Sequence, residues 1–225
     1  MLFHKEKKLC LYEPTKTGST TARHFLMGLG WSFLRPTHAT PEHFIGKYPN
    51  LTQYKSYVFF RNPLDRFLSC IHHVKRDSVL KHLDMFRTDE NSMKTINPEG
   101  NPVYTWSDLI AKFLPYSNKE TSLDHLSYED IVVLFDKFES EFSFMFAPQV
   151  TWMTAPDTEV LDFSNYEAEL RRISGATDPE KYPIPKLNVS EQSYKGEVTD
   201  KVVAFVRAKY AVDYQFAKDV LGKEY

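Results

Sequence analysis

The chain has few residues of the kinds that staple, export or anchor a protein. Among 225 residues there are two cysteines, Cys10 and Cys70. That is too few for a disulfide framework, and their separation does not fit a zinc site. Each sits in an apolar run, Leu9-Cys10-Leu11 and Leu68-Ser69-Cys70-Ile71, so both read as buried free thiols. Such thiols suit a reducing compartment. No apolar stretch approaches the roughly 20 residues needed to cross a bilayer. The opening Met1-Leu2-Phe3-His4-Lys5-Glu6-Lys7-Lys8 has no apolar core of the signal-peptide type. A charge excess is missing as well: 28 Lys and Arg face 30 Asp and Glu, a formal charge of −2. A general attraction to nucleic acid or to an anionic membrane is therefore not expected, and any anion site must be made by a few placed groups.

The composition that remains, 42% hydrophobic and 26% charged, is that of a folded globular chain and not of a disordered one. The length fits one α/β domain over residues 1–225. Repeats and low-complexity linkers are absent.

Lys8 to Tyr12 reads as a short buried strand that stops at Pro14. Polar Thr15 to Thr21 follows, and Ala22 to Leu29 then reads as a helix with Phe25, Leu26 and Leu29 on one face. A short helix is expected at Pro41 to Tyr48. Tyr57-Val58-Phe59-Phe60 is a second buried strand, ending at Arg61-Asn62-Pro63, and a helix carries Phe67, Leu68, Ile71 and Val74 at helical spacing. Residues 85–105 are polar and turn-rich, as long functional loops often are. Trp106 to Leu114, Ser127 to Phe142, Tyr166 to Ile173 and Val198 to Leu221 look helical, and Val160 to Phe163 looks like a third strand. The sum is an α/β domain with a central parallel sheet flanked by helices.

Glu13-Pro14-Thr15-Lys16-Thr17-Gly18-Ser19-Thr20-Thr21 joins the first strand to the first long helix. A helix start exposes unpaired N–H groups and a partial positive charge. Gly18 allows close backbone approach, Lys16 adds a full charge, and the hydroxyls add donors. Strand, tight loop and helix together form a cradle for a phosphate-like group. The Walker pattern is absent, because Lys16 precedes the glycine and no earlier glycine opens the loop. A plain helix cap by Ser19 or Thr20 is the alternative reading of the same residues.

The second motif is Tyr57-Val58-Phe59-Phe60-Arg61-Asn62-Pro63-Leu64-Asp65-Arg66-Phe67-Leu68-Ser69. Arg61 falls at the carboxyl end of a predicted strand, where open α/β sheets place ligands, and a guanidinium grips phosphate bidentately. Ser69 follows about two helical turns on.

With both motifs in this order, the sequence resembles the sulfotransferases that use 3′-phosphoadenosine-5′-phosphosulfate (PAPS), especially their carbohydrate branch. That family pairs a loop of the type P-K-T-G-S-T with a strand-helix of the type V-R-N-P-x-x-R-x-x-S. The resemblance implies a P-loop-like sulfotransferase fold and a sulfuryl transfer from PAPS to a hydroxyl, with no metal required. It assigns Lys16, Thr17, Gly18, Ser19, Thr20 and Thr21 to the 5′-phosphosulfate and Arg61 and Ser69 to the 3′-phosphate. Thr37-His38-Ala39-Thr40 is similar to the family's His-containing segment, which makes His38 the expected base, with Glu42, His43 and His72 as rivals. Lys16 would stabilise charge on the leaving phosphate. Leu187-Asn188-Val189-Ser190 looks like a late loop over the nucleotide, giving Ser190 and Lys195 as further donor contacts. Tyr210-Ala211-Val212-Asp213-Tyr214 resembles the family's terminal Y-x-x-D-Y/F helix. Two positions depart from the pattern: Thr15 separates Pro14 from Lys16, and Phe60 stands where valine is usual.

The acceptor implied is a carbohydrate hydroxyl, with a small alcohol or a tyrosyl hydroxyl as alternatives, chosen by residues of about 80–155, where the likeness is weakest. Family members that act on secreted glycans usually carry an anchor, so a soluble cytoplasmic enzyme of bacterial or viral origin is expected. Nucleic acid is not an expected partner, and oligomeric state is left open. A nucleotide-dependent kinase and a non-catalytic nucleotide- or glycan-binding protein are the competing readings. Adjacent His72 and His73 point to different sides of a helix and do not face one metal ion. Trp152 and Trp106 are open between burial and stacking on a sugar. Asp65 with Arg66, and the aromatic run Phe135, Phe138, Phe142, Phe144 and Phe146, read as structural.

Overall fold

The computed structural model describes residues 1–77, 95–96, 102–103, 126–137, 146–185 and 197–225. The strands are β1 (Leu2–His4), β2 (Leu9–Tyr12), β3 (Ser32–Phe33), β4 (Lys55–Phe60), β5 (Thr95–Ile96), β6 (Pro102–Val103) and β7 (Thr158–Asp162). The α-helices are α1 (Ser19–Met27), α2 (Pro41–Lys47), α3 (Pro63–Asp77), α4 (Tyr128–Lys137), α5 (Tyr166–Ser174), α6 (Asp200–Lys209) and α7 (Ala211–Leu221). Short 3-10 turns lie at Pro49–Gln53, Gln149–Trp152 and Phe163–Asn165.

The chain is a mixed α/β protein whose main sheet runs β3-β1-β2-β4-β7, while β5 and β6 form a separate antiparallel pair. Strands β2, β4 and β7 are parallel, with Leu11 opposite Tyr57 and Val58 opposite Val160. Strands β1 and β3 run antiparallel beside them. The sheet is thus mixed, not parallel throughout as expected. Its added edge is physically simple: Lys5–Lys8 is a tight reversal, which can join only antiparallel neighbours.

The parallel strands are apolar on both faces because both faces are covered. Leu11, Tyr57, Phe59 and Leu161 pack with Ala22, Phe25 and Leu26 of α1 and Leu170 and Ile173 of α5. Cys10, Tyr12 and Val58 face the other way, onto Phe44, Leu51 and Trp152. A third cluster joins α3, α4, α6 and Tyr210 through Phe67, Ile71, Tyr128, Ile131, Val202 and Val206. Both cysteines are buried, and neither is in a disulfide.

The motif Arg61-Asn62-Pro63 explains itself locally. Asn62 Oδ1 accepts the N–H groups of Leu64 and Asp65 at 2.9 and 3.3 Å, while Pro63 opens α3. This is an N-cap followed by proline at the first helical position, where a missing N–H costs nothing. Arg61 is therefore pinned between the end of β4 and the start of α3. Among the described residues no helix is long and apolar enough to cross a membrane.

Candidate functional site

The loop Glu13–Gly18 leaves β2 at its carboxyl end and enters α1. Lys16 and Gly18 both take left-handed backbone angles, φ 64° and 79°. Gly18 is the N-cap of α1, and no side chain caps that end. The alternative reading of these residues, a cap by Ser19 or Thr20, is therefore not met. Thr17 turns inward, its hydroxyl donating to the Pro14 carbonyl at 2.8 Å. The first helical bond runs from Ala22 N–H to the Gly18 carbonyl, so the amides before Ala22 lack intrahelical acceptors and keep the partial positive charge of a helix start.

Gly18 is required for space as well as for φ. A Cβ there would lie 2.6 Å from the Tyr166 ring. Tyr166 opens α5, and its hydroxyl donates to the Gly18 carbonyl at 2.6 Å. The ring also packs on Phe59 and Phe163, with centroids 4.7 and 5.1 Å away. Burial pushes the Tyr166 phenol up, so it stays a neutral donor.

Arg61 reaches this loop directly. Its Nη1 donates to the Lys16 carbonyl at 3.0 Å, and its guanidinium lies 4.9 Å from the centre of the Phe163 ring. Burial lowers its affinity for the proton, with Asp65 and Cys70 opposing and Arg66 adding. A guanidinium does not deprotonate, so this direction means that the charge is poorly solvated where it stands. Among the described residues no carboxylate forms an ion pair with it. An anion would supply the missing compensation.

Arg66 lies one turn into α3 and is 1% exposed. Its Nε donates to the Thr15 carbonyl at 3.0 Å and its Nη2 to the Thr15 hydroxyl at 3.1 Å. Thr15, the residue that interrupts the Pro-Lys pair, is thus the buried point by which α3 holds the loop. Ser69, half-buried, follows three residues after Arg66 on the same helix, and Ser19, Thr20 and Lys16 are also partly exposed. Thr21 is nearly buried, at 9%.

His38 joins the loop from the other side. Its Nδ1 lies 2.7 Å from the Glu13 carbonyl oxygen. A carbonyl only accepts, so Nδ1 carries the hydrogen and the neutral ring keeps its lone pair on Nε2. Burial pushes the His38 pKa down to about 4; Glu13 opposes this and Arg23 adds to it. The ring is therefore neutral across the physiological range. The Glu13 carboxylate is buried between the Met1 amino group at 3.0 Å and Arg23 at 2.9 Å. Burial alone would raise its pKa, but those two cations hold it below the usual carboxylate range.

The structure therefore joins Arg61 to the loop directly, at Lys16, and His38 to the residue that leads into it, Glu13. The rival bases are placed otherwise. Glu42 is exposed on the first turn of α2, His43 sits edge-on to Phe44, and His72 Nε2 hydrogen-bonds the Tyr128 hydroxyl. Ser190 and Lys195 lie outside the described residues, as do Trp106 and most of the aromatic run, of which Phe146 is core. Trp152 is buried, and its indole N–H donates to the His38 carbonyl at 3.0 Å, which decides for burial over sugar stacking. Tyr166, Phe163, Gln149 and Glu13 carry no motif signal. Only the position of Glu13, directly after a buried strand, marked it out.

Among the described residues no group of three or more His, Cys, Asp or Glu side chains is placed to hold a metal ion. A cleft of about 590 Å³ lies apart from the loop, beside α6 and α7, lined by Arg207, Tyr214, Lys218, Lys223 and Tyr225. Its cations are engaged: Lys218 with Glu224, Lys223 with Asp162, and Arg207 with the Tyr225 carbonyl. Compared with known proteins, the chain matches no family model, no curated protein and no solved structure.

Proposed function

We propose that this chain is a PAPS-dependent sulfotransferase of the P-loop-like kind, acting on a hydroxyl acceptor of carbohydrate type. The observation that carries the reading is the bond from Arg61 to the Lys16 carbonyl. It sets an under-compensated guanidinium against a helix-start anion cradle, which is what a donor with phosphates at both its 3′ and 5′ positions requires. The pattern of the two motifs supplies the rest.

In this reading the amides opening α1 and the hydroxyls of Ser19 and Thr20 hold the 5′ end of the donor. Arg61 and Ser69 hold the 3′-phosphate, and Lys16 offsets charge that builds on the leaving 5′-phosphate. His38 Nε2 takes the proton of the acceptor hydroxyl as its oxygen attacks sulfur. The bond from sulfur to the bridging phosphate oxygen breaks in line, and that oxygen keeps the electron pair. Positioning and fixed charge dominate such a transfer, as they do in phosphoryl transfer. A base with a pKa near 4 is always available but weak, so the acceptor proton moves late, as the oxygen becomes acidic in the transition state.

The test is thermal stabilisation by 3′-phosphoadenosine-5′-phosphate (PAP), the product nucleotide, against ATP with magnesium. A ligand at one hundred times its Kd stabilises the folded state by about 2.7 kcal/mol. Stabilisation by PAP, lost in Arg61→Ala and weakened in Lys16→Ala, is expected. Stabilisation by ATP with magnesium and none by PAP would replace the reading with that of a kinase.

A further inference from the structure

Gln149 sits at the start of the 3-10 turn Gln149–Trp152 and is 0% exposed. Its side chain does two things to one residue. Oε1 accepts the Arg61 N–H at 2.9 Å, and Nε2 donates to the Arg61 carbonyl at 2.7 Å. The β4–β7 ladder ends at the pair Phe60 and Asp162, so Arg61 is the first residue with no strand beside it on that side. The Gln149 amide satisfies both main-chain groups of this residue just past the end of the ladder. At the other end of the same turn, Trp152 donates to the His38 carbonyl. His38 has φ 63°, a left-handed angle that few residues other than glycine adopt. The ring direction therefore depends on what fixes its main chain.

The turn itself is held from outside. Asp213, 0% exposed, accepts the N–H of Gln149 at 2.9 Å and of Val150 at 3.1 Å. Three residues earlier, the Tyr210 hydroxyl donates to the Phe146 carbonyl at 2.9 Å. The terminal segment Tyr210-Ala211-Val212-Asp213-Tyr214 thus grips the main chain of Phe146, Gln149 and Val150. Burial pushes the Asp213 carboxyl up, opposed by the N–H bonds from Gln149 and Val150 and by Arg66, which also clamps Thr15 of the loop.

We propose that Asp213 and Gln149 are positioning residues, and that the Gln149–Trp152 turn, anchored by Asp213, sets Arg61 and His38 relative to each other across the donor. The roles of Arg61 and His38 rest on the sulfotransferase reading; the mechanical link between them does not. Neither Asp213 nor Gln149 touches the reacting atoms. Each acts through the main chain of a residue that would.

Three variants and three measurements on the whole chain separate this from a general packing role. The measurements are exchange of the Arg61 amide relative to the Val58 amide, the titration midpoint of the His38 ring by NMR, and the PAP Kd by calorimetry. The ring faces the Glu13 carboxylate, the Arg23 guanidinium and the Met1 amino group, none of which is altered. Asp213→Asn puts an N–H donor where one N–H acceptor is needed. It should speed Arg61 exchange at least tenfold, move the His38 midpoint from about 4 toward 6.5, and weaken PAP about tenfold. Gln149→Met should move the Arg61 exchange and the PAP Kd and leave the His38 midpoint alone. Trp152→Phe should move the His38 midpoint alone. If Asp213→Asn shifts only one end, or if the Gln149 and Trp152 variants each shift both ends equally, the link is overturned. Should Asp213→Asn not fold, the other two variants decide. Failure of the wild-type chain to bind PAP would sink the sulfotransferase reading, while exchange and titration would still judge the link.

Discussion

Replacing Gly18 by alanine puts two separate physical demands on one methyl group. The backbone at Gly18 has φ 79°, and an L-residue in the left-handed region costs about 1–2 kcal/mol. The methyl would also stand 2.6, 2.7 and 2.8 Å from Cε2, Cζ and Oη of Tyr166. Carbon atoms settle near 3.5–4.0 Å, so the ring must withdraw by about 1 Å. It has little room, with Phe59 and Phe163 against it and its hydroxyl bonded to the Gly18 carbonyl. Withdrawal breaks that bond, about 1 kcal/mol, and overpacks the aromatic wall, about 1–3 kcal/mol. The sum is about 3–6 kcal/mol, a large part of the roughly 5–15 kcal/mol that holds a domain together.

A double-mutant cycle divides the two causes. Urea unfolding followed by tryptophan fluorescence gives the stability of wild type, Gly18→Ala, Tyr166→Ala and the double variant. With the ring gone, Gly18→Ala should cost only its backbone part, about 1–2 kcal/mol. The coupling is then about 2–4 kcal/mol, the share due to the ring. An equal cost of Gly18→Ala in both backgrounds would refute the close contact. A cost near zero in both would refute the left-handed loop as well.

The remaining predictions concern the groups that hold the loop. Arg66→Leu leaves the Thr15 carbonyl and hydroxyl without their buried donor; we expect about 3 kcal/mol lost in urea unfolding and a weaker PAP interaction, with Arg66→Lys restoring only part of each. For His38 the unfolded ring takes a proton below about pH 6.5, whereas the folded ring waits until about 4. Its neutral burial therefore favours the fold fully above 6.5, and this is lost as pH falls toward 4, by up to about 3 kcal/mol. His38→Asn should flatten the stability curve over that window, and a variant curve parallel to wild type would contradict the lowered pKa of this partly buried ring. Glu13, held low by the Met1 amino group and Arg23 against its burial, contributes stability above the usual carboxylate range that is lost as pH falls through its folded value. Glu13→Gln should remove that acid limb and cost about 3 kcal/mol at neutral pH, because Arg23 and the amino group are left facing an uncharged amide.

The parts of the fold that could be read in advance are those where side-chain type and period carry the information. Strands β2 and β4 are apolar on both faces, and the α1, α3 and α5 helices bury a single stripe, so composition alone located them. Strands β1 and β3 hold three and two residues, too few for the two-residue alternation of a strand to repeat visibly. They pair with a neighbour through main-chain groups that every residue has. The missing antiparallel edge is a direct result. The same rule divides the terminal helical region: Tyr210 separates α6 from α7 by its φ of −108°, while the apolar spacing runs on through it.

The candidate site divides along the same line. Lys16, Gly18 and Arg61 were legible because charge, freedom of φ and a guanidinium fork are properties of residue type. Thr15 looked like an interruption, since nothing in a threonine says that a buried arginine 51 residues along the chain will bind its carbonyl. Gln149, Trp152 and Asp213 act on backbone N–H and C=O groups of residues far along the chain. Such a contact constrains the giver and leaves the receiver free to be any residue, so no spacing rule between the two can exist. The terminal Tyr-x-x-Asp-Tyr segment was visible as a pattern without a job. Its job lies in the main chain it holds, and through Gln149 that main chain ends at Arg61, the residue on which the anion reading depends.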